Sequence, residues 1–127
     1  MKLQLETAAR NQYLIRAHGP GRVVINETAY HASLIVTPER LIEHWPPSCF
    51  DELKRDHIDV LARLAPEVVL IGTGATLRFP AAELLQPLLG PQIGYEIMDT
   101  AAACRTYNIL MSEGRKVAAA LIIDDEI

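Results

Sequence analysis

Val68-Val-Leu-Ile-Gly-Thr-Gly74 is the stretch that decides the fold. Four apolar residues run together between Pro66 and Gly72 with no polar alternation, so a strand formed here has to be covered on both faces. That requirement points to a parallel or mixed sheet between two layers of helix. The sequence on either side agrees. C-terminal to it, Pro80 predicts a helix reaching about Leu89, Gly90-Pro91 breaks it, and Ile93 to Met98 predicts another strand. Asp99 has the character of an N-cap for a helix from Thr100 to Glu113, stopped by Gly114, and a last strand is predicted over Val117 to Ile123.

N-terminal to the deciding stretch, Phe50, Leu53, His57, Leu61 and Leu64 recur at helical spacing, which predicts a helix within Asp51 to Leu64, with Ser48 and Asp51 as a weak capping box. Earlier still, Tyr13 to His18 and Arg22 to Ile25 flank Gly19-Pro20-Gly21 and read as a β-hairpin. Ser33 to Val36 reads as a strand closed by Thr37-Pro38. Glu39 to Trp45 fits no single element and ends on Pro46-Pro47. Alternating helices and apolar strands imply an α/β fold of three layers: a central mixed sheet, helices on both faces and an N-terminal hairpin element. One domain over residues 1–127 is expected, since the chain has no internal linker or repeat.

Composition narrows the function. The chain has 127 residues, half of them hydrophobic, and a formal net charge of −4. An acidic balance opposes a nucleic-acid partner, whose phosphates require a basic face. Met1 to Glu6 shows neither a signal core nor the acid-poor character of a transit peptide, and Val117 to Ile123 is far too short to span a bilayer. These features imply a cytoplasmic protein that does not insert directly into a membrane. Cys49 and Cys104 have no paired spacing and are expected as thiols. The histidines 18, 31, 44 and 57 are scattered, so neither a metal nor a cofactor is implied.

Two loops carry the site signal. Gly72-Thr73-Gly74 follows a buried strand, where glycines let backbone N–H groups approach an anion. A dinucleotide fingerprint would need a third glycine where Leu77 stands, so the plainer reading is a tight turn with positive φ at Gly72 and Gly74. Asp99-Thr100 follows the next strand. If the two strands are parallel neighbours, Gly72, Thr73, Gly74, Asp99 and Thr100 meet in a crevice at their carboxyl ends, where a small anion is a natural guest. Asp99 as a simple cap needs no guest.

On the Thr100 helix, Ala103, Tyr107 and Leu110 share a core face, while Arg105, Asn108 and Ser112 share an outer one. Arg105 and Asn108 are therefore candidates for contacting a partner. Cys104 sits beside Arg105 in the first turns, a position that can lower a thiol's pKa, although buried inert cysteine is the commoner case. Glu113 and Arg115 are expected to pair across the turn. Trp45 reads either as an exposed anchor for a partner or as a lid over the core edge. No nucleophile elbow or metal-ligand spacing is present, so no catalytic set is assigned.

The run Gly94-Tyr-Glu-Ile-Met-Asp-Thr-Ala-Ala-Ala-Cys-Arg-Thr-Tyr-Asn-Ile-Leu-Met-Ser-Glu-Gly-Arg-Lys-Val-Ala-Ala-Ala-Leu121, together with Leu70 to Gly74, Ser33 to Val36 and Trp45-Pro46, resembles the signature of a widespread family. That family includes mitochondrial complex I assembly factor three and the adipogenesis-associated domain protein. The resemblance covers nearly the whole chain and suggests a compact bacterial member of uncharacterised role. It implies a three-layer α/β domain with a central mixed sheet and an added β element, and no established catalytic reaction. In the mitochondrial branch it implies assembly of the respiratory NADH dehydrogenase alongside another assembly factor. The family's recurring positions correspond here to Gly72, Thr73, Gly74, Asp99, Thr100, Arg105, Thr106, Asn108, Glu113, Gly114 and Arg115. The leading expectation is a non-catalytic binding or assembly protein whose partner is another protein, such as a membrane-complex subunit or a second assembly factor. The alternative is an enzyme handling a small molecule or anion in the Gly72–Thr100 crevice with Cys104 or Asp99.

Overall fold

A computed structural model describes residues 12–124, so the Met1 to Glu6 run read above for targeting lies outside the described residues. The elements in chain order are β1 (Ile15–Gly19), β2 (Arg22–Ile25), β3 (Thr28–Tyr30), β4 (Leu34–Val36), β5 (Leu41–Ile42), α1 (Arg55–Arg63), β6 (Val68–Gly72), α2 (Gln86–Leu89), β7 (Gly94–Met98), α3 (Thr100–Ser112) and β8 (Val117–Leu121). Short 3₁₀ turns at Phe50–Glu52 and Ala82–Leu85 complete the set.

The central sheet has five strands in the order β5-β4-β8-β6-β7. Strand β6 runs parallel to both β7 and β8, whereas β4 is antiparallel to β5 and β8. The mixed sheet and the parallel β6–β7 neighbours are as the sequence predicts. The hairpin is present too, but β3 joins it and makes a separate three-stranded antiparallel sheet.

Both faces of the central sheet are buried along its inner strands β4, β8 and β6, residue by residue in alternation. Val36, Leu70, Val117, Ala119 and Leu121 pack with Ala103, Tyr107 and Met111 of α3 and with Ile15, Val23 and Ile25 of the small sheet. On the other face Ile35, Val69, Ile71, Ala118, Ala120 and Ile122 pack with Ile58 and Leu61 of α1 and with Leu85 and Leu88. The layers are thus α3 with the small sheet, the central sheet, and α1 with α2. Fully burying one of these branched side chains contributes about 1.5–3 kcal/mol.

Several local expectations are corrected. Pro80 starts no helix: a 3₁₀ turn begins at Ala82 and one α turn follows, with Pro87 in its first turn. The Ser48–Asp51 capping box is replaced by Ser48 with Glu52, whose Oε1 accepts both the Ser48 N–H (2.8 Å) and its hydroxyl (2.9 Å). Helix α1 itself lies within the predicted Asp51 to Leu64, and at its start the Lys54 N–H donates to His57 Nδ1 at 3.0 Å. Trp45 is a lid, not an exposed anchor. It is 3% exposed, its indole N–H donates to the His57 carbonyl at 3.2 Å, and its ring meets His57 edge-on. Arg115 pairs with Glu67, Nε to Oε1 at 2.9 Å, in place of Glu113.

Candidate functional site

The loops leaving β6 and β7 converge at the carboxyl edge of the parallel strands, as the strand order requires. Thr73 N–H donates to Met98 O at 2.9 Å, and Thr100 N–H donates to Gly74 O at 2.9 Å. The Thr100 hydroxyl accepts from Gly74 N–H (2.9 Å) and donates to Ile122 O (2.7 Å), tying the ends of β6 and β8 and the start of α3 together. Gly72, Thr73, Gly74, Asp99 and Thr100 therefore meet, but their polar atoms mostly serve one another.

The glycines act differently from each other. Gly74 has φ of +104°, a region that side chains avoid, and an added Cβ would lie 2.5 Å from Asp124 Oδ2. Gly72 does not have the expected positive φ. It is a close-approach residue, since a Cβ there would sit 3.0 Å from the Thr100 Cα and 3.2 Å from the Ala103 Cβ. It lets the first turn of α3 lie directly on the strand.

A crevice of about 230 Å³ lies above this knot, between the β1–β2 turn (His18, Arg22) and Gly74, Thr100 and Asp124. Asp99 lines it and is the N-cap of α3, its Oδ1 accepting from Ala102 N–H at 2.8 Å. That carboxylate already answers the positive end of the helix. With Asp124 it sets two carboxylates in the crevice against the single arginine, Arg22, so the lining does not favour an anionic guest.

The α3 candidates separate. Arg105 is exposed. Asn108 is engaged within the chain: its Oδ1 accepts from Ile15 N–H (3.0 Å) and its Nδ2 donates to Ile15 O (2.6 Å), so it holds β1 as a neighbouring strand would. Tyr107 reinforces it, donating its hydroxyl to Tyr13 O at 2.6 Å. Cys104 is buried, and burial pushes its thiol up to about 12 despite Arg105, so it is a neutral core thiol at pH 7 instead of an activated nucleophile. Among the described residues no group of three or more His, Cys, Asp or Glu is placed to hold a metal ion.

Sequence reasoning missed the loop that follows Gly74. Thr73 is 2% exposed, and its hydroxyl donates to Thr76 O (2.7 Å) and accepts from Arg78 N–H (3.2 Å), folding residues 73–78 into a fixed turn. The Arg78 guanidinium stacks 4.4 Å from the centre of the Phe50 ring and reaches Asp51 Oδ1 at 2.9 Å. On either side of this anchor, Leu77 is 46% and Phe79 72% exposed. Two large apolar residues at alternate positions in a segment with no strand or helix period were the available signal.

A three-layer α/β fold with a small antiparallel sheet, a carboxyl edge closed by internal bonds and an anchored apolar loop beside it defines the class. Residues 15–122 match the family described as "Protein of unknown function (DUF498/DUF598)", and the chain belongs to that family. The crystal structure of a Bordetella parapertussis protein is 37% identical and superposes with a TM-score of 0.83 over 89% of this chain and 97% of that one. The chain is 29% identical to the "13 kDa major membrane protein" of Francisella tularensis over 80% of its own length and 84% of that protein's. It is also 32% identical to NADH dehydrogenase [ubiquinone] 1 alpha subcomplex assembly factor 3 of Danio rerio, over 86% of its own length. The matched region spans 63% of that assembly factor. No helix among the described residues is long and apolar enough to cross a membrane.

Proposed function

We propose that this protein is a non-catalytic, assembly-factor-like binding protein that docks another protein beside the Gly72–Gly74 turn. The observation that carries the reading is the anchored loop: Phe79, 72% exposed, and Leu77, 46% exposed, flank an Arg78 that is fixed to Phe50 and Asp51. Single exposed apolar residues are ordinary, but a preorganised apolar pair costs a partner little ordering entropy on binding. Gly72, Thr73, Gly74, Asp99 and Thr100 serve by shaping and holding that loop. Arg105 and Ile109, the latter 57% exposed, stand one turn apart on the outer face of α3 and offer a second contact. Asn108 supports the element behind them.

The assembly-factor relatives support a protein partner of the same kind, a membrane-complex subunit or a second assembly factor. A cytoplasmic protein seated on such a complex would be recovered with membranes without a spanning helix, which suits the membrane-protein name of the Francisella relative. The test is copurification of the tagged full chain with the respiratory NADH dehydrogenase of its own cell, comparing the parent with Phe79→Ala and Arg105→Ala. A buried interface anchor loses about 2 kcal/mol or more on truncation, roughly thirtyfold in affinity. Retention of the complex unchanged by both substitutions in folded variants would refute this docking face. Turnover of a metabolite by the isolated chain that requires Asp99 would move the protein into the enzyme class.

A further inference from the structure

At the opposite end of the sheet, where β6 and β8 begin, a second and larger cavity of about 460 Å³ opens between the ends of α1 and α3 and the β4–β5 turn. Its size falls in the range of pockets that hold small molecules, about 300–1,000 Å³. The floor is apolar. Val117 and Met111, 1% and 7% exposed, supply it together with the partly buried Leu64 and Pro66. The rim carries Arg40, Arg115 and Lys116 against the carboxylate of Glu39, with Glu67 beside it paired to Arg115, a local excess of positive charge in a chain of net charge −4.

The backbone that carries the cations is held in place, and their exposed side chains have donors to offer. Arg40 is fixed through its backbone, its N–H donating to Thr37 Oγ1 at 2.9 Å and its carbonyl accepting from Thr37 N–H at 2.8 Å. The Lys116 carbonyl accepts from Glu67 N–H at 2.8 Å, which locks the base of that side chain to the start of β6. Arg115 uses Nε on Glu67, leaving its terminal amino groups, and neither Arg40 nor Lys116 enters an ion pair among the described residues. An apolar floor under a rim that offers Arg40 and Lys116, without ion pairs among the described residues, and the remaining amino groups of Arg115 suits a ligand with the matching halves.

We infer that this cavity binds an aliphatic chain with an anionic head group, the chain lying on Met111, Val117 and Leu64 and the head held by Arg40, Arg115 and Lys116. It is a site separate from the docking loop and does not depend on it. Carboxylate and phosphate heads share the chemistry, and the test distinguishes them. The full-length protein, labelled at methyl groups, is titrated with octanoate, octyl phosphate and octanol while the NMR signals of Met111, Val117 and Leu64 are followed. Saturable shifts with at least one anionic probe are expected, with octanol about tenfold weaker or worse, and the tighter of the two anions assigns the head group. The double substitution Arg40→Ala with Lys116→Ala, at exposed positions, should weaken the preferred anion about tenfold with the melting temperature unchanged. The inference is overturned if octanol binds as tightly as both anions, if the shifts fall on the Phe79 loop instead, or if no probe moves Met111.

Discussion

Replacing Asn108 by Ala tests whether this residue belongs to the architecture or to a surface. The substitution removes both partners of the Ile15 peptide group, the acceptor at 3.0 Å and the donor at 2.6 Å, beneath a side chain only 5% exposed. Each of the two buried backbone groups left without a partner costs about 1–3 kcal/mol, and the better helix propensity of Ala returns roughly 0.5 kcal/mol, so a net loss of about 1.5–5.5 kcal/mol is expected. With a urea dependence of about 2 kcal/mol per molar, the unfolding midpoint should fall by roughly 1–3 M at unchanged slope. Tyr107→Phe, which loses the 2.6 Å bond to Tyr13 O, should cost about 1–2 kcal/mol. Both bonds secure the same few residues of β1, so the double variant should depart from additivity by about 1 kcal/mol. Asn108→Asp keeps the acceptor but turns an anionic oxygen toward a carbonyl, and should rescue little. An Asn108→Ala variant within about 0.5 kcal/mol of the parent, or strict additivity with Tyr107→Phe, would refute the reasoning.

Three further expectations follow from the same structure. Gly72→Val drives a branched side chain into the first turn of α3, and Gly74→Val adds strain at φ of +104°; each should lower stability by about 2 kcal/mol or more in thermal melts, and a parent-like melting temperature in either contradicts the packing described. His57 is held below its ordinary 6.5, chiefly by burial and then by Lys54, and it accepts the Lys54 N–H while neutral. Its contribution to stability is therefore complete above the unfolded-state value and declines as pH falls below it, because the unfolded chain takes up the proton first. Urea unfolding at pH 7.5 and 5.5, values spanning the ordinary histidine range of about 6.5, should show a smaller acid loss in His57→Gln than in the parent, and equal losses would count against it. Cys104, with its thiol raised to about 12, should resist a thiol reagent in the native protein and react only on unfolding, whereas the partly exposed Cys49 reacts first; comparable native rates would contradict the burial.

The parallel core was legible because its strands are covered on both faces, so Val68–Ile71 and Val117–Ile123 had to be apolar throughout. The junction of Gly72 to Gly74 with Asp99 and Thr100 was legible for a related reason: parallel neighbours bring their following loops to one edge. Strand β5 was not, since two residues carry no period and Leu41–Ile42 pair only because a turn at Thr37 and Arg40 returns the chain. The hold of Asn108 on β1 was not legible because helical spacing reports a face without reporting what covers it, and the cover is a strand 93 positions away in sequence. Phe79 escaped notice because exposure of an apolar loop residue follows from the Arg78 anchor, a contact between distant segments.

The three alanines in the middle of β8 set the thickness of the molecule. Ala118 and Ala120 face one helical layer and Ala119 the other, all fully buried, so each works as a spacer of minimum height on one side only. A methyl group or two added at Ala119 would act as a wedge under α3 alone and leave the α1 layer undisturbed. Because the first turn of α3 is stitched through Thr100 to Gly74 and Ile122, that wedge would tilt the helix against its own fastening and loosen the far end of the sheet. Gap width on each side of the sheet is in this way set by separate interior residues, so drift in the size of Ala119 bears on the α3 side while the Arg78–Phe50 anchor sits with the opposite layer.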